Sequence, residues 1–144
     1  MKAMIICSLK SLAEDYNDLV WLRNKLIGDG YVLFEDWINY KVELIENKPK
    51  FKQKDGDDYL KTAIEGIHKS NIVIFFLTCN SAYIFTILKY ALYLSKNVIV
   101  IYNKKILIDK LKSISSIKSK ILYIKKKEIK KFNYFLSKYE KNIV

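Results

Sequence analysis

Ile72-Val73-Ile74-Phe75-Phe76-Leu77, a polar turn Thr78-Cys79-Asn80-Ser81, an apolar helical run, and Asn97-Val98-Ile99-Val100-Ile101-Tyr102 together decide the fold of this chain. Six consecutive apolar residues in the first run, and five after Asn97 in the second, leave no polar face, so each run reads as a strand covered on both sides, the signature of a parallel sheet. About four helical turns separate the two strands, enough for a crossover connection. The unit is therefore strand, turn, helix, parallel strand.

The same alternation extends in both directions. Lys2–Ser8 is a short apolar run that ends in small polar residues and reads as the first strand. A helix capped near Ser11 follows, with Leu12, Tyr16, Leu19, Val20, Leu26, Ile27 and the stem of Arg23 turned inward, and Gly28 and Gly30 stop it. Tyr31-Val32-Leu33-Phe34 is a second strand ending at Glu35-Asp36-Trp37. Residues 38–56 carry no period and contain Pro49 and Gly56, which predicts an irregular loop or lid. Asp57 or Asp58 caps a helix that runs to Lys69. Beyond Tyr102 the expectation is a helix over 106–115, a short strand over 121–124 and a last helix over 128–139. This order predicts one α/β domain over 1–144, a flavodoxin-like three-layer sandwich with a five-stranded parallel sheet in the order 2-1-3-4-5.

Charge is unevenly distributed along the 144 residues, whose formal net charge is +11. In the lysine-rich C-terminal part, residues 103–144, thirteen lysines against Asp109, Glu128 and Glu140 leave +10. In residues 1–102, thirteen basic and twelve acidic side chains leave +1. Such a basic protein attracts phosphate-bearing partners. Arg23 is the only arginine, however, and the abundance of Lys, Ile, Asn and Tyr is what an AT-rich genome encodes. A solvated lysine surface is thus the expected reading, and nucleic acid is not expected as a partner. No membrane association is expected either: the uncharged run 72–88 is interrupted by its polar turn, and Met1–Ile6 is too short for a signal-peptide core. A cytoplasmic location with free Cys7 and Cys79 follows.

In a 2-1-3-4-5 sheet the ligand crevice opens over the C-terminal ends of strands one and three. The candidate ligand-binding residues are therefore Cys7, Ser8 and Lys10 after the first strand, Trp37 after the second, and Thr78, Asn80 and Ser81 after the third. Hydroxyls and an amide suit a sugar or phosphate, and the indole of Trp37 suits a base. Glu35 and Asp36 are the acids best placed at a strand end and are the candidate catalytic residues. With four glycines in all, the chain has neither GxGxxG nor GxxxxGK[ST], and the usual dinucleotide and NTP cradles are excluded. His68 is the sole histidine and lies near a helix C-terminus, where a structural role is expected. No metal site and no cofactor are expected.

The run Ala63-Ile64-Glu65-Gly66-Ile67-His68-Lys69-Ser70-Asn71-Ile72-Val73-Ile74 resembles a segment of nucleoside 2-deoxyribosyltransferase-like proteins. There a helix is followed by a small polar pair and a buried strand. Tyr90-Ala91-Leu92-Tyr93-Leu94-Ser95-Lys96-Asn97-Val98-Ile99-Val100-Ile101 is similar to their Gly-Tyr-Ala…Gly-Lys-x-Val-Ile segment. Ile5-Ile6-Cys7-Ser8, then Glu14-Asp15, then Gly30-Tyr31-Val32, resemble the first box of TIR domains. The resemblance covers roughly residues 1–102 and implies chemistry at an N-glycosidic bond. Active members use a glutamate, which acts as nucleophile or stabilises oxocarbenium-like charge. The matching position here is Ile87, and no Asp or Glu stands between Glu65 and Asp109.

The resemblance thus implies a nucleoside- or nucleotide-binding domain without the usual glutamate, its ligand a nucleoside, nucleotide or NAD-like molecule. Two alternatives stay open. One is an active N-glycosidase, deoxyribosyltransferase or NAD hydrolase with a relocated carboxylate. The other is a TIR-like interaction module that forms a homo-oligomer.

Overall fold

All six residues of the central strand are buried, and this follows from its neighbours on both faces. The computed structural model describes residues 1–36, 38, 56–114 and 121–143. In chain order the elements are β1 (Lys2–Cys7), α1 (Leu9–Glu14), α2 (Tyr16–Gly28), β2 (Val32–Leu33), α3 (Gly56–Lys69) and β3 (Ile72–Leu77). They continue with α4 (Ala82–Tyr93), β4 (Asn97–Tyr102), α5 (Lys105–Ile114), β5 (Ile121–Lys125), a 3-10 helix (Lys126–Lys131) and α6 (Phe132–Ile143).

The sheet has five strands in the order β2-β1-β3-β4-β5, and every pairing is parallel. Its register sets Ile5 beside Ile74, Ile74 beside Ile99, and Ile99 beside Leu122. This is the three-layer α/β fold expected from the sequence. The alternation of side chains across each strand builds two cores. Met4, Ile6, Val73, Phe75, Val98 and Val100 pack with helices α3, α4 and α5. Ile5, Ile72, Ile74, Phe76, Ile99 and Ile101 pack with α2 and α6, including Leu19, Leu22, Phe132 and Leu136.

Three local expectations are corrected. The helix predicted as continuous from Ser11 to Gly28 is split at Asp15, whose φ of −115° and ψ of 27° leave the helical region. β2 is shorter than the predicted 31–34, with only Lys2–Val32 and Ala3–Leu33 as paired positions. The last helix is preceded by a 3-10 stretch, so the two together begin earlier than Glu128. The predicted loop or lid over 38–56 lies, apart from Ile38 and Gly56, outside the described residues.

Ile87, at the position where the resemblance implies a glutamate, is 3% exposed within the α3–α4–α5 core. Its face of α4 also buries Ile84, Leu88 and Ala91. A carboxylate there would need to be desolvated without a partner, which ordinarily costs several kcal/mol.

Gly66 shows how closely α3 lies on the sheet. A Cβ at this position would overlap Met4 Sδ and come within 2.6 Å of Phe34 Cδ1. Met4 is fully buried and has little room to retreat. Gly66→Ala is therefore expected to destabilise the fold by about 1–3 kcal/mol, despite alanine's better helix propensity. Urea denaturation followed by circular dichroism measures this; a midpoint equal to or above that of the unaltered chain would contradict the close approach.

Candidate functional site

The C-terminal ends of β1 and β3 lie side by side, as their pairing of Cys7 with Phe76 requires. Over this junction runs a chain of hydroxyls that starts as a helix cap. Ser8 is the N-cap of α1, and its Oγ accepts from the Ser11 amide at 3.0 Å. The Ser8 hydroxyl donates to Ser11 Oγ at 3.1 Å. Ser11 Oγ and Thr78 Oγ1 are 2.7 Å apart, and Thr78 Oγ1 is also 2.7 Å from Asp15 Oδ2. An ionised carboxylate only accepts, so the single Thr78 proton goes to Asp15, and Ser11 must donate to Thr78. The direction of every proton in Ser8→Ser11→Thr78→Asp15 is thereby fixed.

The other Asp15 oxygen, Oδ1, accepts from the Lys126 ammonium, which also lies 3.7 Å from Asp18 Oδ2. Asp15 is buried, and so are Ser11 and Thr78. The hydrogen bond to Asp15 is the main reason that the Lys126 pKa is raised; burial opposes it, and the charges of Asp15 and Asp18 add to it. Burial, and then the Asp15 charge, pushes the Cys7 thiol up to about 12. Cys7 is consequently a neutral thiol at physiological pH and no nucleophile.

Each residue expected from the sequence has a definite setting. Ser8 and Thr78 meet through Ser11, but their hydroxyls are engaged in the chain just described. Lys10 is exposed, with Nζ 4.0 Å from Glu14 Oε1. Asn80 is exposed, and its Oδ1 accepts from Lys110 on α5 at 3.2 Å. Ser81 caps α4, accepting from the Ile84 amide at 3.4 Å. Glu35 follows β2 with φ of 45°, the left-handed region that side chains seldom adopt. Asp36 accepts from Arg23 Nε at 2.6 Å through Oδ2, while its buried Oδ1 has no partner among the described residues. Trp37 lies outside the described residues. His68 Nε2 and the Tyr90 hydroxyl are 2.8 Å apart.

Sequence reasoning missed the roles of Asp15, Lys126 and Glu14. Ser11 and Asp15 are four residues apart, the spacing that aligns side chains on one helical face, and this was the available signal. Glu14 is 57% exposed beside β3's polar turn, with Oε2 3.9 Å from Cys79 Sγ. Among the described residues no three His, Cys, Asp or Glu side chains converge as a metal site requires. No helix among them is long and apolar enough to cross a membrane.

No protein-family profile matches the sequence, and no curated protein matches it either. Among solved structures, the CMP N-glycosidase BcmB of Clostridium botulinum is similar to this chain. Its TM-score is 0.62 at 16% identity, over 93% of this chain and 99% of that one. At that identity the likeness establishes a shared α/β fold.

Two outcomes test the site. Lys126 has a raised folded-state pKa, so its contribution to stability is complete below the ordinary lysine value of 10.5 and is lost as pH rises through the folded value. Lys126→Met should lower Tm by roughly 3–6 °C at pH 8. The gap to the unaltered chain should narrow above that ordinary lysine value; a gap that stays constant into the alkaline range would refute the ion pair. Separately, iodoacetamide at pH 8 followed by mass spectrometry should label Cys79 about ten times faster than Cys7; equal rates would contradict the raised Cys7 pKa.

Proposed function

We propose that this chain is a nucleoside- or nucleotide-binding domain that takes its ligand over the C-terminal ends of β1 and β3 and has lost the glutamate of related N-glycosidases. The observation that carries the reading is the burial of Ile87 in the apolar core, at the helix position where the resemblance implies that glutamate. The parallel sheet supports it as well, because the strand order reverses between β1 and β3, the position at which doubly wound sheets bind ligands. So does the fold shared with an enzyme that acts on CMP. In this reading Trp37 stacks on the base, and Lys10 and Asn80 stand at the rim for sugar or phosphate oxygens. Ser8, Ser81 and Thr78 shape the crevice wall while serving as caps and internal hydrogen-bond partners, and Cys7 lies at its floor. The chain acts as a single domain in the cytoplasm, a location suggested by the free thiols Cys7 and Cys79.

A second reading keeps an N-glycosidase activity with a relocated acid. Glu14 favours it, being an exposed carboxylate beside the polar turn of β3. Glu35 and Asp36 remain the acids at the end of β2, although Asp36 is bound to Arg23. In such a reaction the carboxylate would attack the anomeric carbon or stabilise its charge as the bond to the base breaks.

Titration calorimetry with CMP, nucleosides and NAD distinguishes the readings when combined with chromatography for released base. The expected result is binding without turnover, weakened about tenfold or more in Trp37→Ala. Absence of binding by every one of these ligands would refute the first reading. Base release abolished by Glu14→Gln, Glu35→Gln or Asp36→Asn would establish the second and identify its acid.

A further inference from the structure

The C-terminal ends of β4 and β5 open into a cleft of about 880 Å³. α5 supplies Lys105 and Lys112 to its wall, the end of β5 supplies Lys125, and the 3-10 helix supplies Lys126, Lys127 and Lys130. Asp18 and Asp109 are the carboxylates among the lining residues, so six cations against two anions leave +4. Six of the thirteen lysines of residues 103–144 thus come from three elements to one concavity. A composition rich in lysine explains their number but not their convergence.

The six are not equivalent. Lys126 is committed to Asp15 and Asp18. Lys112 Nζ lies 5.6 Å from the centre of the Tyr123 ring, and Lys130 Nζ 4.5 Å from that of Trp21. Aromatic faces hold these two cations without neutralising them. Lys105, Lys125 and Lys127 are exposed and have no carboxylate partner among the described residues. Like charges brought together in a concavity repel one another, and low-dielectric walls focus their potential. An anion that enters is stabilised by the same field.

We propose that this cleft binds a compact polyphosphate, either the phosphate chain of a nucleoside triphosphate or a short inorganic polyphosphate. The volume lies within the roughly 300–1,000 Å³ of small-ligand sites. Counted with Asp15, the buried partner of Lys126, the net charge is +3, which offsets most of the charge of a triphosphate, and lysines grip phosphate oxygens as point charges, without the planar geometry that arginine imposes. A nucleic-acid strand calls for an extended basic stripe instead. The proposal goes beyond the nucleotide crevice, since a polyphosphate with neither base nor sugar suffices to occupy the cleft.

Titration calorimetry on the full chain tests it, with sodium tripolyphosphate, ATP and a ten-residue oligothymidylate as probes in low salt. Tripolyphosphate should bind, and its affinity should fall as salt rises. The double variant Lys105→Ser/Lys127→Ser should bind about tenfold or more weakly, whereas Lys61→Ser/Lys89→Ser, which removes equal charge from α3 and α4, should bind as the unaltered chain does. ATP binding more tightly than tripolyphosphate assigns the site to nucleoside polyphosphates, and equal affinities assign it to the phosphate chain alone. No tripolyphosphate binding at about 1 mM, equal loss in both double variants, or tighter binding of the oligonucleotide would overturn the proposal. Because tripolyphosphate has no base, this result is independent of whether CMP binds in the crevice.

Discussion

The hydrogen bond from Thr78 to Asp15 joins residues 63 apart in sequence and organises the working edge of the sheet. Asp15 can reach Thr78 because the helical run breaks there, and the break gives α1 and α2 separate courses. A buried carboxylate with one hydroxyl donor would remain poorly solvated. Lys126, from 111 residues farther along, completes it. One acidic side chain therefore ties the start of the first crossover, the end of β3 and the segment after β5. Removing either partner would leave a charge with too little compensation, which is why these contacts stand or fall together.

That arrangement also limits what the crevice can do. Hydroxyls that look available in sequence, those of Ser8, Thr78 and Ser81, serve as caps or as links toward Asp15. Cys7 is held as a thiol. Ile87 contributes to the core rather than to the crevice chemistry. The exposed polar groups nearby are Lys10 and Glu14, which face each other, and Asn80, which accepts from Lys110. The function proposed above, recognition without covalent chemistry, draws on these exposed groups.

The sheet was legible because its information is hydrophobic and local. Uninterrupted apolar runs over 72–77 and 98–102 admit few partners other than parallel strands with helices on both faces. The split at Asp15 was not legible, since residues 9–28 keep an amphipathic period across it and the partner that Asp15 meets there is a distant threonine. The strand ends on which the candidate site was placed were legible, and the partners of their side chains were not. Strand ends can be read from a pattern, but whether Asp36 is free or paired with Arg23 depends on how α2 lies against the end of β2. The convergence of lysines was less visible: Lys105 and Lys112, seven residues apart, share one face of α5, but Lys125 and Lys130 belong to other elements and join them only where α5 and the 3-10 helix flank the same opening.

The neighbours of β3 differ greatly in where they lie along the chain. Pairing with β4 spans one crossover, from Leu77 to Asn97, whereas pairing with β1 joins Cys7 to a strand that begins at Ile72. Closing the longer loop costs about 1 kcal/mol more conformational entropy, by the logarithmic dependence on length. The β3–α4–β4 unit is therefore the cheaper nucleus, and the amino-terminal strand joins a sheet whose other side already has a template. The junction that carries the candidate site is by this reckoning among the later parts of the molecule to assemble, and the crevice comes into being only when the two ends of that long loop meet.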